Sequence, residues 1–523
     1  MFKRFAIHIF FTVYLLLGLF LVPDYGIGWD EWIMRDNALR NLNWAKVFLN
    51  GGEQTREEVF FGNIDEHGPA FQFVLLAAEE LFSPQTTASR ILIRHNTTFV
   101  LFAFLSLGFY LLLRKVGFSV WLSLLGWMAL VLYPRIFAHS IFNSKDPLLM
   151  VLFAWITYVL LLIFKTNQYK WHLAFGLLLG LVADIRVIAL VFIAPYGFYW
   201  MNLFLKKRAY TNGLLGGGLV VVAFLGMSIL AWPFLWEHPV TSFLEQFKVI
   251  TEVKQPNPTL FFGTFYAPKA APRWYLPGYF GITIPVIIWI PFFYGFYDRL
   301  RHLKQNQLQE IKNNPLFWIA LLLFFLPLIA SMVLTPVFYN GWRHFQFMYP
   351  FLLIVALYGL KSFLKWKKVN NITAHYKSIF AASFFIVLIA VNGMLHPFGG
   401  TYFNLWMGAN LEGEFECDYW GINFNKAWEY LSENTSGRVK VYVSDRPGIY
   451  NLELLPIKEQ ERFEIVSTLA EAEYLVSNHN HFQDFSTQLW YTFYFGENRP
   501  ALGKEVFKAG TYQLTAVSVF QLR

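Results

Sequence analysis

Two carboxylates, Asp30 and Glu31, stand side by side in "PDYGIGWDEWIMRDN", residues 23–37. Just before them runs "FAIHIFFTVYLLLGLFLV", apolar and long enough to cross a bilayer. A carboxylate beside lipid is costly to desolvate, so the pair is either solvated at the interface or placed there for use. Four other stretches carry residues of matching chemistry: "NIDEHGPAF" with Asp65, Glu66 and His67; "PRIFAHSIFNSKDP" with Arg135, His139, Asn143, Lys145 and Asp146; "ADIR" with Arg186; and "YNGWRHFQF" with Tyr339, Arg343 and His344. Cations of this kind can hold a phosphate while its lipid tail stays in the bilayer. A carboxylate can accept a proton from an incoming hydroxyl or amine. Together they suit transfer of a sugar from a polyprenyl phosphate, a reaction that needs its reactive carbon at the water–membrane boundary.

Each residue also has a plainer reading. Asp30 and Glu31 can be a solvated turn, with Glu31 equally placed for a supporting or metal-binding role. His67, beside Gly-Pro, can shape a turn. Lys145 and Asp146 can be a solvated pair opening a proline-started helix, where an acid is favoured anyway. Arg343 and its aromatic neighbours can be an interfacial anchor. "GLLGGGLV", 213–220, reads as close helix packing in lipid rather than a phosphate loop. "SNHNHF", 477–482, lacks a third ligand for a metal, and the lone cysteine, Cys417, excludes an internal disulfide framework.

The elements that must position these groups follow from composition. Of 523 residues, 56% are hydrophobic, 20% aromatic and only 15% charged, which excludes an ordinary soluble protein. The net charge of +8 is better explained by basic residues gathered on a cytoplasmic face than by nucleic acid. Apolar runs near 5–22, 93–113, 119–134, 147–164, 172–184, 187–204, 213–232, 278–297, 316–335, 347–360 and 378–395 predict about eleven spans. The short loops "LLLRKVG", "FKTNQYK", "LFLKKRAY", "YDRLRHLKQNQLQEIK" and "KSFLKWKKVNN" share one side with the N-terminal "MFKR" and are all basic, so that side is cytoplasmic. The start reads as an uncleaved anchor. All five stretches with candidate chemistry then fall on the opposite side. "PAFQFVLLAAEELF", 69–82, is short and holds Glu79 and Glu80, which predicts a helix lying at the membrane surface. The fold class expected is mainly α: a polytopic helical bundle over 1–400, a connecting segment 401–424, and a small soluble α/β domain over 425–523.

The layout resembles the membrane-integral C-type glycosyltransferases, the superfamily of the protein O-mannosyltransferases and of aminoarabinose transfer to lipid A. "GWDEW" resembles the acidic motif of their first extracytoplasmic loop, and "DEHGPAF" resembles the Asp-x-His-Pro-Pro-Leu stretch that follows, with Gly68 and Pro69 where two prolines are usual. "FNSKDPLLM", "GWRHFQFMYP" and "FECDYWGINFNKAWEYL" resemble stretches of bacterial relatives. The resemblance covers roughly residues 1 to 430. It implies that Asp30 is the catalytic base with Glu31 its neighbour. It also implies that Arg343, His344, Lys145, Asp146, His67, Arg186 and Tyr339 bind the donor phosphate or substrate. The implied partners are a polyprenyl-phosphate-linked sugar, membrane lipids and an acceptor protein, lipid or glycan, at a bacterial inner membrane with the site facing outward. No cofactor is implied with certainty; Glu31, Asp65 and His67 are the candidates for a divalent metal. Two rivals stay open: a ligase or polymerase of lipid-linked sugars without a carboxylate base, and a transporter or flippase.

Overall fold

The computed structural model describes residues 2–60, 67–205, 210–251, 258–267, 269–366, 374–479, 482–483, 490–491 and 503–523. Apolar residues run continuously through the helices, and among the described residues six of these are long and apolar enough to cross a membrane: Phe5–Asp24, Thr87–Lys115, Asp146–Thr166, Gly213–Ala231, Pro315–Leu334 and Arg343–Lys365. Two further pairs qualify only if each bent pair is one span, which makes eight.

Two of the eleven expected spans are bent where proline interrupts the helix. The expected span 119–134 is a helix, Val120–Val131, that stops before Pro134 and resumes at 63° as Pro134–Phe142. The expected span 278–297 breaks before Pro285, with Tyr275–Thr283 and Val286–Gln305 bent by 117°. Proline disfavours helical backbone in the residue ahead of it and readily starts a new helix, so an unbroken apolar run becomes two elements. The expected spans 378–395 and 187–204 are helical over their length, the first within the 22-residue helix Ala374–Leu395 and the second as a 3-10 stretch, Val187–Phe192, running into Ile193–Leu205. Tyr169–Ile185 has 17 residues, about 26 Å of helix against roughly 30 Å of hydrocarbon.

Ala70–Phe82 follows the same rule. Its 13 residues give about 20 Å, and Ser83 ends it in left-handed backbone. Its buried Glu79 is held by Arg94 at 2.6 Å and Arg35 at 2.8 Å. Helices pack closely where glycine removes the side chain. A Cβ on Gly176 would stand 2.6 Å from the Val220 carbonyl oxygen, and one on Gly217 2.7 Å from the Trp200 ring. The "GLLGGGLV" stretch thus lies in a close helix contact.

A five-stranded sheet closes the C-terminal end, in the order Phe463–Ile465, Val439–Val443, Tyr474–Ser477, Thr515–Gln521, Lys504–Gly510. The first three strands are parallel and the last two pair antiparallel. Val439, Val441, Val476, Val517 and Val519 pack with Phe424, Trp428 and Leu431 of the helix Phe424–Asn434. This alternation of buried β-branched residues against an amphipathic helix is what the sequence pattern there predicts.

Candidate functional site

Asp30, Lys145, Asp146, Arg186 and Arg343 each sit at or beside the end of a helix. After the first helix the chain makes a short 3-10 turn, Val22–Asp24, runs extended, and starts the helix Trp29–Asn50 at Gly28. Glu31 occupies the third helical position. One of its oxygens accepts the Gly28 N–H at 2.7 Å and the other meets His95 Nε2 at 2.9 Å. Glu31 is 3% exposed, so it caps the helix and faces His95. Asp30 projects elsewhere: its carboxylate is about a third exposed and lies 3.6 Å from Arg343 Nη1. A cleft of about 380 Å³, lined by His95, Asn451 and Glu429 among others, has neither Asp30 nor Arg343 in its wall.

The backbone around Asp30 is held from the far end of the chain. Gly26 N–H donates to the Ile422 carbonyl at 3.1 Å and Trp29 N–H to that of Trp420 at 3.2 Å. The Asn451 side chain bonds both the N–H and the carbonyl of Ile27, each at 2.9 Å. Trp29 Nε1 donates to Asp445 at 3.2 Å. Burial pushes the Asp445 carboxyl up to about 6.

Arg343 opens a 3-10 turn, Arg343–Met348, that follows two left-handed residues, Asn340 (φ 52°) and Gly341 (φ 63°). Its guanidinium is 6% exposed. It lies 4.6 Å from the Trp420 ring centre, 4.8 Å from that of Tyr339 and 5.2 Å from that of Tyr419. Such faces hold a flat cation without using up its N–H groups. Among the described residues, neither Nε nor Nη1 has a hydrogen-bond partner. Buried donors left unmade are costly, so this arginine is set to receive an acceptor. His344 meets the edge of Tyr339 at 4.7 Å.

Asp146 is buried between Arg186 at 2.9 Å and the Asn143 amide, also at 2.9 Å. Arg343 lies within electrostatic reach of Asp146 as well as Asp30. Lys145 lines a small recess with Asn37, Gly68, Phe71, Gln72, Ser144 and Ile185. Burial and then the fields of Lys145, Arg186 and Arg343 hold the His67 imidazole well below its usual value, so it is neutral at neutral pH. Lys145, Arg186, Arg343, His67 and His344 thus form one electrostatic cluster. Asp65 and Glu66 lie outside the described residues.

Gly68 has a structural reason to be glycine. Its N–H donates to the Asp184 carbonyl at 2.8 Å, and a Cβ there would stand 1.6 Å from Asp184 Oδ1. Asp184 also accepts the Ala70 N–H at 3.2 Å. Gly68→Ala is therefore expected to displace the His67 turn and lower the melting temperature, whereas Gly68→Ala with Asp184→Ala recovers much of that loss. A thermal melt of both variants checks it; equal melting of Gly68→Ala and wild type refutes the clash.

Sequence reasoning passed over His95, Asp184, Glu416, Tyr419, Trp420 and Asn451. "FECDYWG" had signalled three of them, as acids and aromatics alternating in one loop. Of the metal candidates, Asp65 lies outside the described residues and both Glu31 oxygens are engaged; among the described residues no three His, Cys, Asp or Glu side chains come together.

The chain is similar to two proteins of known structure. One is the oligosaccharyltransferase AglB of Archaeoglobus fulgidus, at 12% identity and a TM-score of 0.45, covering 92% of this chain and 70% of that one. The other is ArnT from Cupriavidus metallidurans, solved bound to undecaprenyl phosphate, at 12% identity and a TM-score of 0.45, covering 98% of each. Likeness at this level carries no conclusion about activity. No family model matches the chain, and no curated protein matches its sequence.

Proposed function

We propose that this chain is a multi-pass membrane glycosyltransferase that moves a sugar from a polyprenyl-phosphate donor to an acceptor outside the cytoplasm. The observation that carries the reading is the Asp30–Arg343 pair. A buried, aromatic-walled arginine, whose Nε and Nη1 make no hydrogen bond among the described residues, lies through Nη1 3.6 Å from a part-exposed carboxylate. The first suits a phosphate oxygen and the second suits an acceptor proton.

The proposed reaction is one in-line displacement. The acceptor hydroxyl or amine gives its proton to Asp30 as its oxygen or nitrogen bonds the anomeric carbon. The bond from that carbon to the phosphate oxygen breaks, and configuration inverts. The leaving phosphate gains a charge, which Arg343, Lys145 and Arg186 stabilise. Asp146 orients Arg186, while neutral His67, with His344 and Tyr339, lines the sugar side. Glu31 supports the helix that carries Asp30.

The test is direct. Purified protein in lipid nanodiscs is offered a panel of labelled polyprenyl-phosphate sugars with extracts of envelope lipid, glycan and protein. Label passing to an acceptor, with release of polyprenyl phosphate, is the expected result. Donor consumption that depends on Arg343 but is indifferent to Asp30 points instead to a ligase without a carboxylate base. Movement of intact donor across the bilayer points to a flippase.

A further inference from the structure

Glu416 lies in the segment that connects the last helix of the bundle to the C-terminal sheet, and it is 7% exposed. Its carboxylate accepts the Asn340 N–H at 2.6 Å. The Gly341 N–H and the Thr259 hydroxyl face the same carboxylate. On its other flank the turn is held by Tyr275, whose hydroxyl accepts the Gly341 N–H at 3.2 Å and lies 3.3 Å from Thr259. Asn340 and Gly341 are both left-handed, and successive N–H groups in such a turn make a concavity suited to an anion. Here the anion is a side chain of the protein. Asn340 is not glycine, so its conformation costs energy that a partner must offset. The turn leads directly to Arg343.

We propose that Glu416 is a positioning residue: its ionised carboxylate clamps the Asn340–Gly341 turn and thereby aims Arg343 at the donor phosphate. The inference rests on the donor-binding role of Arg343 given above. The clamp is adjustable. Burial pushes the Glu416 carboxyl up to about 7, against the pull of the Asn340 N–H and Arg343. Besides Arg343, the titratable groups facing it are Tyr275, Tyr279, Cys417 and Tyr419; burial holds the Cys417 thiol and the Tyr419 phenol neutral near pH 7. Above about 7 the carboxylate is charged and holds the turn through a charge-assisted bond. As pH falls through that value it gains a proton, the bond weakens, and Arg343 loses its aim.

The test measures binding of a prenyl methyl phosphate, a diester whose single charge is constant over the range, to wild type in nanodiscs. A monoester would confuse the result, because its own second proton titrates near 6. Wild type is expected to bind about tenfold more tightly at pH 8 than at pH 6, in a one-proton step. Glu416→Gln is expected to bind weakly at both, without the step. Tyr275→Phe, which removes the other acceptor, is expected to bind less well at both while keeping the step. Should Glu416→Gln fail to fold, Asn340→Gly decides, because glycine adopts the turn unaided and the step should shrink. A full step in Glu416→Gln or in Asn340→Gly overturns the clamp alone, as does wild-type binding without a step. Wild type that binds no prenyl phosphate at all overturns the donor reading as well.

Discussion

Sugar transfer falls by about two to four orders of magnitude when Asp30 becomes Asn, while folding and donor binding persist. Asparagine keeps the size and most hydrogen bonds of the side chain but cannot take up a proton. Asp30 is part-exposed beside Arg343, so removing its charge opens no buried hole and leaves the guanidinium, if anything, more receptive to phosphate. Glu31→Gln is the control that separates the two neighbours. Glu31 is buried between the Gly28 N–H and His95, so the change weakens a cap and a buried hydrogen bond and is expected to lower thermal stability by about 1–2 kcal/mol. Its transfer rate per folded molecule should stay near wild type. Transfer assays paired with thermal melts read both. Wild-type transfer by Asp30→Asn sinks the mechanism, and a dead, well-folded Glu31→Gln moves the base to residue 31.

Donor affinity should drop by about tenfold for Arg343→Lys and by about a hundredfold for Arg343→Ala. The three rings around Arg343 fit a flat guanidinium; an ammonium presents a compact charge to one ring at most. Lysine also gives up the fixed fork that reaches two phosphate oxygens, and alanine leaves the aromatic walls around nothing. Titration of a labelled prenyl phosphate against each variant measures the loss. Wild-type affinity in both would make Arg343 an interfacial anchor.

What could be read from the chain alone tracks how local the cause is. Asp30 and Arg343 stood out because charge in apolar surroundings is costly and therefore purposeful. Which of Asp30 and Glu31 faces the site was not legible. Adjacent residues on a helix point about 100° apart, and the answer turns on the helix starting at Gly28. Where a span bends was not legible for a similar reason: hydropathy registers apolar length, whereas the break before Pro285 decides that one run becomes two helices meeting at 117°. Glu416 was hidden because its partner, Asn340, is 76 residues away and is met through a backbone N–H, which leaves no mark in composition. Gly68 looked like a departure from a two-proline pattern, and only Asp184 beside it shows why.

The bond between Ile27 and Asn451 joins residues 424 apart. A ribosome makes the first of them long before the second, and the segment bearing Asp30 is made without the partners that later shape it. Until Trp420, Ile422 and Asn451 have been made and have docked, Gly26, Ile27 and Trp29 lack their backbone partners. Synthesis therefore carries its own timer: the hydrogen bonds that hold the backbone around Asp30 can form only once the last fifth of the polypeptide has been made.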